Sequence, residues 1–463
     1  MAGGPQMRLF LFVPLRVIYS TIMAKQKKTE ISGLNLEIQG GKKLHGTIET
    51  NTSKNGAMGL LCAALLNKGK TTLRKVAKIE EVFRIIEVFE SIGVNITWRG
   101  RDLEIVPPKK FVLSKINRAS AIKTRSIIMT IGALIHTNGN FSLPQSGGCK
   151  LGKRTVGPHF LALRELGVEI EVTDTSYDIN HDKLHGGKII LYEPSDTATE
   201  NALLAAARIP EETIIKYASA NYQVQELCFF LETLGVAIEG IGSSTLKVRG
   251  VPQINMDADY TVSEDPTDSM FFIAAAILTK SHLKITRCPI EFLEKELLTL
   301  ETMGQKFKVG EEYFSHNGRT KLVDIEIFPS LLSAPPEKIH ALPYPGLNMD
   351  NLPFFAVIAT QAAGQTLIHD WSYEKRAIYY TELDRMGAST VLADPHRFFV
   401  NGPTDLQAVE LVCPPALRPA TIILIAMLGA KGKSILRNIY SINRGYEDLV
   451  TRLRSLGANI SKL

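Results

Sequence analysis

The sequence has few of the residues that mark secreted or metal-binding proteins. Its five cysteines, Cys62, Cys149, Cys228, Cys288 and Cys413, are an odd number at irregular spacing, with no Cys-x-x-Cys pair. This pattern provides neither a zinc site nor an even disulfide framework, and it favours a reducing, cytoplasmic compartment. The ten histidines form no His-Glu-x-x-His motif. The sequence therefore predicts no metal and no other cofactor.

The chain also lacks a hydrophobic run long enough to span a membrane. Residues 9–15 are apolar, but they include Pro14 and end at Arg16, far short of the roughly 20 residues that a spanning helix needs. A secretory signal peptide is the alternative interpretation of this stretch. Because the segment MAKQKK at Met23 is typical of a natural start, we expect residues 1–33 to form a disordered N-terminal extension.

An excess of one charge is missing from the body of the chain. The net charge is +6, but the first 33 residues hold five basic residues and one acidic residue, so the remainder is close to neutral. A near-neutral body without an aromatic and basic patch argues against nucleic-acid binding. With 45% hydrophobic and 22% charged residues, the composition is that of a globular protein. We expect small-molecule partners, and neither nucleic acid nor a membrane.

Complete phosphate-binding loops are absent as well. Gly69–Thr72 and Gly432–Ser434 end like such loops, but Ala64 and Met427 stand where the first glycine is required. We interpret both segments as turns between a helix and a strand. Gly240–Gly242 is followed by a strand-like segment, which indicates a hairpin.

What the sequence does contain is a sixfold internal repeat. A phrase that ends in Leu-Gly, Ile-Gly or Met-Gly recurs roughly every 70 residues. Its glycines are Gly93, Gly167, Gly235, Gly304, Gly387 and Gly457. Each phrase predicts an amphipathic helix, closed by a glycine in the left-handed conformation and followed by a strand.

A second phrase precedes most of these glycine phrases. It consists of an alanine-rich apolar helix, a polar turn and a short strand. A helix that is apolar on nearly every face is predicted to be buried, with the strands covering it. Six such units predict an α/β protein with two similar domains of three units each. A solenoid is less favoured, because these units exceed the usual ~20–45 residues of stacked repeats.

The segment Ser142–His159 is the most unusual in the chain. A pair of glycines precedes Cys149, and Lys150, Lys153 and Arg154 follow it. Cationic neighbours lower the pKa of a thiol and raise its reactivity, and a glycine-rich loop can close over a substrate as a lid. A reactive thiol on a lid and an incidental cysteine on a surface loop both fit these residues.

Four segments carry a resemblance to the enolpyruvyl transferase family. They are SLPQSGGCKLGKRTVGPH at Ser142–His159, NTSKNGAM at Asn51–Met58, TATEN at Thr197–Asn201 and RGYEDLVTRLRSLGANI at Arg444–Ile460. The resemblance extends from Leu34 to the last residue. It implies the inside-out α/β barrel-like fold of that family, with two similar domains that face each other.

The resemblance and the repeat together predict where the domains begin and end. The first domain is predicted at 54–259 and carries the Cys149 loop. The second joins 34–53 to 260–463, because the opening strands complete the last repeat. Active sites of two-domain enzymes are usually found in the cleft between the halves, and we expect this one there.

The resemblance implies a specific reaction. In this reaction the enolpyruvyl group of phosphoenolpyruvate is transferred to the 3′-hydroxyl of UDP-N-acetylglucosamine, and phosphate is released. The reaction needs no metal. It is implied to be the first committed step of peptidoglycan synthesis. Cys149 is implied to protonate the methylene carbon, and Asp350 to act as general base on the acceptor hydroxyl. The residues implied to bind phosphoenolpyruvate are Lys54, Asn55, Arg154, Arg376, Arg418 and Arg444. The residues implied to bind the sugar nucleotide are Arg125, Asn55, Asp350, Ser372 and Ser195.

The charges of phosphoenolpyruvate fit these residues, because arginine forks bind carboxylate and phosphate groups bidentately. The chain departs from the family pattern at Gly157, at Ala416 and at Ala220–Gln223. Two alternatives therefore stay open. One is a transferase with another acceptor, such as shikimate 3-phosphate. The other is a degenerate paralogue that binds a sugar nucleotide or a protein partner without turnover.

Overall fold

The computed structural model describes residues 34–136, 139–145 and 156–463. Helices and strands alternate along this part of the chain. The predicted extension at 1–33, and Cys149 with Arg154, lie outside the described residues.

The strands are short, and most have two to six residues. In the first part of the chain they are β1 (Leu36–Gly40), β2 (Thr47–Glu49), β3 (Thr71–Arg74), β4 (Asn95–Arg99), β5 (Asp102–Val106), β6 (Phe141–Pro144), β7 (Val168–Val172), β8 (Ser176–His181), β9 (Lys188–Ile190), β10 (Glu212–Lys216), β11 (Ala237–Glu239), β12 (Thr245–Arg249) and β13 (Ala258–Thr261). The later strands are β14 (Leu283–Pro289), β15 (Phe307–Val309), β16 (Tyr313–Phe314), β17 (Lys321–Ile327), β18 (Leu332–Ser333), β19 (Ile339–His340), β20 (Ala362–His369), β21 (Ser389–Leu392), β22 (Arg397–Gly402), β23 (Glu410–Val412), β24 (Gly432–Arg437) and β25 (Asn459–Lys462).

The helices lie between these strands. The α-helices are α1 (Lys54–Ala64), α2 (Glu80–Ser91), α3 (Arg118–Ala121), α4 (Thr130–Leu134), α5 (Gly157–Arg164), α6 (Asp196–Ala206), α7 (Tyr222–Thr233), α8 (Pro266–Leu278), α9 (Glu294–Thr302), α10 (Leu352–Ala359), α11 (Leu417–Gly429), α12 (Tyr440–Asn443) and α13 (Leu449–Ser455). Four 3₁₀ helices are also described, at Leu113–Lys115, Arg125–Met129, Ile290–Phe292 and Ala377–Met386.

The described strands form six sheets, one for each predicted repeat. In the first half the strand orders are β13-β3-β5-β4, β6-β8-β7 and β11-β12-β10-β9. In the second half they are β15-β17-β14-β2, β18-β20-β22-β21 and β23-β24-β1-β25. Three sheets in each half, with helices between them, confirm the predicted α/β fold of two similar halves.

All six glycines of the repeat have the predicted left-handed conformation, with φ between 87° at Gly167 and 102° at Gly93. A helix precedes each glycine and a strand follows it. Five of these six helices are α-helices. The remaining one, Ala377–Met386 before Gly387, is a 3₁₀ helix. The run Ile378–Thr381 consists of β-branched and aromatic residues, which favour an α-helix less than unbranched residues do. The prediction of the repeat is therefore confirmed, with one change of helix type.

The alanine-rich helices are buried, as predicted. Every residue of α8 and of α10 is buried, and the two helices pack against each other and against α11 in the middle of the second half. In the first half, α6 contacts α4, α5 and α7. Burying one large apolar side chain contributes roughly 1.5–3 kcal/mol, so these central helices supply much of the packing energy.

Two separate cores result from this arrangement. One core runs from Ala57 to Val262. The other joins Leu36, Ile38, Leu44 and Ile48 to residues 270–460. The domain boundaries proposed from the sequence stay a prediction, and these two cores support them.

The chain crosses between the halves at two adjacent places. The Ser53 amide donates to the Ser263 carbonyl at 2.7 Å, and the Asp265 amide donates to the Asn51 carbonyl at 2.8 Å. These bonds hold the two crossing segments antiparallel. Because α1 and α8 begin directly after the crossings, both helices start at the boundary between the halves.

Two of the three sequence interpretations of turns are confirmed, and one is wrong. Gly69 lies between α1 and β3. Residues 432–434, in contrast, are the first residues of β24 rather than a turn, because they pair with the end of β1. Gly240–Gly242 connects β11 to β12, which pair antiparallel as a hairpin. In the part of the chain that the structure describes, no helix is long and apolar enough to cross a membrane.

Candidate active site

A cleft of about 500 Å³ lies between the two halves and is lined by residues from both. Every described residue of the predicted site lines it. These residues are Lys54, Asn55, Arg125, Ser195, Asp350, Ser372, Arg376, Arg418 and Arg444. Cys149 and Arg154 lie outside the described residues. The structure thus brings the described residues together, and their individual roles stay predictions.

Lys54 and Asn55 lie in the first turn of α1, where Ser53 caps the helix by accepting from the Gly56 amide at 2.8 Å. Lys54 Nζ donates to Asn55 Oδ1 at 3.0 Å, and Asn55 Nδ2 donates to the Tyr222 hydroxyl at 2.9 Å. These two bonds fix the orientation of the Asn55 amide. A helix N-terminus with a lysine in its first turn attracts anions, so this end of the cleft suits a phosphate or a carboxylate.

Asp350 and Arg418 form an ion pair in the cleft. Arg418 Nη2 donates to Asp350 Oδ2 at 3.0 Å and to Thr267 Oγ1 at 2.9 Å. Arg418 Nη1 donates to the Tyr446 hydroxyl at 3.0 Å. Thr267 is held in turn by Asp265, the residue that caps α8. Arg418 is therefore a buried cation with its guanidinium held in one orientation.

The ionisation of Asp350 is set by these cations. Burial raises its pKa, but the charges of Arg418, Arg376 and Lys54 outweigh burial and lower the pKa to about 2. Asp350 is therefore a carboxylate at neutral pH and can only accept hydrogen bonds. The N-cap of α10 is Asn351 rather than Asp350, so helix capping does not explain the aspartate.

Arg376 is fully buried and is oriented by another aspartate. Its Nε and Nη2 donate to the two oxygens of Asp370 at 2.6 Å and 2.8 Å. The Tyr380 hydroxyl donates to the same carboxylate at 2.6 Å, and the guanidinium lies 4.2 Å from the centre of the Tyr373 ring. Such a bidentate pair fixes both the position and the plane of Arg376.

Arg444 connects the two halves. Its Nη2 donates at 2.6 Å to Oε2 of Glu81, a buried residue of α2 in the first half, and Thr124 Oγ1 donates to Glu81 Oε1 at 2.9 Å. Burial raises the pKa of Glu81, but the charges of Lys54 and Arg444 outweigh it and lower the pKa overall. The pair is not a surface contact, because Glu81 is 4% exposed.

The TATEN segment forms the first turns of α6, which Ser195 caps by accepting from the Ala198 amide. Asn201 Oδ1 accepts from the Gly132 amide at 2.9 Å, which leaves Nδ2 to donate to His159 Nδ1 at 3.2 Å. His159 Nε2 lies 3.2 Å from Thr197 Oγ1 in a second hydrogen bond. These contacts hold the His159 ring in the cleft wall.

The segment Ala220–Gln223, which departs from the family pattern, contributes two neutral donors, Asn221 and Gln223. Asp196, the first residue of α6, accepts from Asn221 Nδ2 at 3.2 Å and from Gln223 Nε2 at 2.6 Å. Burial raises the pKa of Asp196. Ser372 Oγ, on the opposite wall, is buried and has no hydrogen-bond partner among the described residues. The cluster around Asp196 and the Ser372 hydroxyl are both suited to bind polar groups of a ligand.

Sequence reasoning did not identify several residues that hold the site. Glu81, Asp370, Tyr222 and His159 each orient a predicted site residue or a wall of the cleft, and Thr267 binds Arg418. Most of these residues have no local signal, because their partners lie in other elements. Asp370 is the exception, since it precedes Arg376 by six residues.

Among the described residues, no group of three or more histidine, cysteine, aspartate or glutamate side chains is placed to hold a metal ion. The cysteines of this part of the chain, Cys62, Cys228, Cys288 and Cys413, are buried and unbridged. The described residues of the cleft provide cationic side chains, carboxylates and amides.

Comparisons with known proteins show which proteins this chain is similar to. The sequence model of the family described as EPSP synthase (3-phosphoshikimate 1-carboxyvinyltransferase) matches residues 38–453. A Treponema denticola protein named UDP-N-acetylglucosamine 1-carboxyvinyltransferase is 37% identical over 427 residues, which cover 91% of this chain and 98% of the relative. A Bradyrhizobium diazoefficiens protein of the same name is 32% identical and covers 92% of this chain and 97% of its own length.

Solved structures show the same fold. The enolpyruvyl transferase NikO from Streptomyces tendae matches with a TM-score of 0.78 at 24% identity, covering 93% of this chain and 99% of that one. An EPSP synthase from Acinetobacter baumannii matches with a TM-score of 0.70 at 17% identity, covering 93% and 100%. At these sequence identities the structural matches show only that the fold is shared.

Proposed function

Because this chain belongs to the enolpyruvyl transferase family, we propose that it transfers the enolpyruvyl group of phosphoenolpyruvate to the 3′-hydroxyl of UDP-N-acetylglucosamine. The observation that carries this proposal is the ion pair of Asp350 and Arg418, which lies in the same cleft as Lys54 and Asn55. The names of the relatives in Treponema denticola and Bradyrhizobium diazoefficiens support the acceptor.

The proposed reaction has two steps. In the first, the acceptor oxygen attacks C2 of phosphoenolpyruvate, Asp350 receives the hydroxyl proton, and an acid adds a proton to C3. We assign this acid to Cys149. In the second step, a proton leaves C3, the bond from C2 to the phosphate oxygen breaks, and the enol ether and inorganic phosphate are formed. No oxidant, reductant or metal is required to balance either step.

The cations of the cleft are proposed to bind phosphoenolpyruvate. Arg376, Arg418, Arg444 and Lys54 provide positive charge from four different segments of the chain, and phosphoenolpyruvate has a phosphate and a carboxylate to receive it. Arg154 is proposed to join them. In the structure Arg376, Arg418 and Arg444 are each paired with a carboxylate, which is Asp370, Asp350 and Glu81 respectively. Substrate anions must therefore compete with these pairs or share them.

The acceptor is proposed to lie between the walls of the two halves. Arg125 and Ser195 come from the first half, and Ser372 from the second. Asn55 is proposed to orient the acceptor hydroxyl toward Asp350, since its amide is fixed by Lys54 and Tyr222. The product would enter peptidoglycan synthesis, and the free cysteines favour the cytoplasm as the site of this reaction.

The proposal is tested by measuring phosphate release from purified protein mixed with phosphoenolpyruvate and UDP-N-acetylglucosamine. We expect release that requires the acceptor and that is lost in Cys149→Ala. Cys413→Ala serves as the matched control, because this buried cysteine is not in the cleft. Shikimate 3-phosphate is tested in parallel as the rival acceptor.

The outcomes separate the alternatives. Release with shikimate 3-phosphate alone would overturn the acceptor and keep the reaction. Binding of both substrates without release, in wild type as in Cys149→Ala, would favour a degenerate paralogue. Release that is unchanged in Cys149→Ala would overturn the role of the thiol.

A further inference from the structure

Glu296 is a buried carboxylate on α9 that the proposed reaction does not use. It is 1% exposed, although it lies on a helix whose other face is open to solvent. Burying a carboxylate costs several kcal/mol unless its oxygens receive hydrogen bonds. The partners of Glu296 therefore show what this buried carboxyl group does.

Two donors to Glu296 belong to the turn that carries Asp350. The Asn348 amide donates to Glu296 Oε1 at 3.0 Å, and Asn351 Nδ2 donates to the same oxygen at 2.8 Å. These two donors lie on either side of Met349 and Asp350. One carboxylate oxygen thus holds both ends of the turn.

The turn is also tied together internally and to the opposite half. The Asp350 amide donates to Asn348 Oδ1 at 2.8 Å. Asn348 Nδ2 donates to Oδ1 of Asn221, the residue that caps α7 in the first half, at 3.4 Å. Asn348 therefore links Glu296, Asp350 and the far wall of the cleft in one chain of hydrogen bonds.

We propose that Glu296 is a positioning residue that places the Asp350 carboxylate for the transfer step. The inference rests on the proposed function, since it assigns Asp350 the role of base. An apolar residue at position 296 would fill the space but leave the Asn348 amide and the Asn351 amide group without an acceptor. A base displaced by about 1 Å can cost on the order of 100-fold in rate.

Both bonds go to a single oxygen, which allows a sharp test. In Glu296→Gln the side-chain carbonyl can accept from the same two donors, while Glu296→Ala removes the acceptor. Glu301→Ala is the matched control, because Glu301 is an exposed residue of the same helix. All three proteins are compared with wild type at pH 7.5.

The first readout is steady-state phosphate release. We expect Glu296→Ala to lower kcat by about tenfold or more. The KM for phosphoenolpyruvate should change by less than about threefold, because Arg376 and Arg444 keep their carboxylate partners and Arg418 keeps its bonds to Thr267 and Tyr446. Glu296→Gln is expected to retain most of the wild-type kcat, and Glu301→Ala all of it. Wild-type kcat in Glu296→Ala, or an equal loss in both Glu296 variants, would overturn the proposal.

The second readout is hydrogen exchange of the backbone amides at 348–352, which needs no substrate. We expect faster exchange in Glu296→Ala than in wild type, and restored protection in Glu296→Gln. Unchanged exchange in Glu296→Ala overturns the positioning role. If wild type releases no phosphate with either acceptor, the proposed function fails, and the exchange measurement still decides whether Glu296 holds the turn.

Discussion

Asp350 Oδ2 lies 3.0 Å from Arg418 Nη2, so the predicted base is paired with a cation that is predicted to bind the substrate. Arg418 is also held by Thr267 and Tyr446, and we expect these two bonds to keep it in place when Asp350 is replaced. The pair therefore links substrate binding to the state of the base. An incoming carboxylate or phosphate has to share Arg418 with Asp350.

Asp350→Asn separates these two roles. The amide cannot take up the acceptor proton, and we expect kcat to fall by roughly 100-fold or more. It also no longer competes as an anion for Arg418, so the Kd for phosphoenolpyruvate is expected to stay equal or to decrease. Titration calorimetry and phosphate release measure the two quantities. A clearly weaker affinity for phosphoenolpyruvate in this variant would contradict the arrangement.

The pair of Arg376 and Asp370 is expected to dominate stability at this end of the cleft. In Asp370→Asn the buried guanidinium loses its counter-charge, and we expect the free energy of unfolding to fall by about 3–5 kcal/mol. Tyr380→Phe removes one hydrogen bond and should cost about 1 kcal/mol. Urea unfolding measures both. The exposed pair of Arg385 and Glu382 is the control, and Glu382→Gln should leave stability unchanged.

Glu226 predicts a dependence of stability on pH. Burial, with the charges of Glu264 and Asp265, raises its pKa from 4.5 to about 8. Between these values the folded protein binds more protons than the unfolded chain. The protonated Glu226 carboxyl therefore stabilises the folded protein relative to the ionised one. This stabilisation is complete below pH 4.5 and is lost as the pH rises through 8.

Glu226→Gln cannot ionise and is expected to remove this dependence. Relative to wild type, its free energy of unfolding should rise between pH 5 and pH 9 by up to about 5 kcal/mol. Unfolding curves at pH 5, 7 and 9 test this. Glu239→Gln, at an exposed position of β11, is the control. A difference from wild type that is the same at all three pH values argues against the buried carboxyl as the cause.

Alanine substitutions at two glycines test whether backbone strain, rather than steric clash, makes glycine necessary at the end of a helix. Gly235 has a φ of 91°, and a Cβ added to it meets no atom within 4 Å. Gly157, the first residue of α5, also has no atom within 4 Å of an added Cβ and has no positive φ. We expect Gly235→Ala to lower the free energy of unfolding by about 1–2 kcal/mol, and Gly157→Ala to cause no loss. Equal effects of the two changes would rule out left-handed backbone as the reason for Gly235.

The repeat could be predicted from the sequence because its signals are local. A left-handed glycine ends each of the six helices through bonds to the preceding turn, as at Gly93, whose amide donates to the Glu90 carbonyl. Burial of α8 and α10 followed from their apolar composition alone. The 3₁₀ helix at Ala377–Met386 could not be predicted from the glycine phrase, which is the same there as in the other units.

The partners within the site were beyond sequence reasoning for a different physical reason. Glu81 and Arg444 are separated by 363 residues, and the identity of such a pair depends on how the two halves meet. Asp370 is only six residues from Arg376, but the pattern gives no reason to choose it over nearby Glu374. The resemblance to a family supplied the site residues, while their mutual orientation required coordinates.

The position of β1 has a consequence for how the protein is made. Leu36–Gly40 lies between β24 and β25, so one of the first strands to leave the ribosome has both of its neighbours among the last. During translation the first half can assemble its central helices around α1, while β1 has no partner to pair with. The β23-β24-β1-β25 sheet can close only when the chain is nearly complete, and such long-range pairing is slow. We therefore expect nascent chains that stop before β24 to expose β1 to chaperones and proteases.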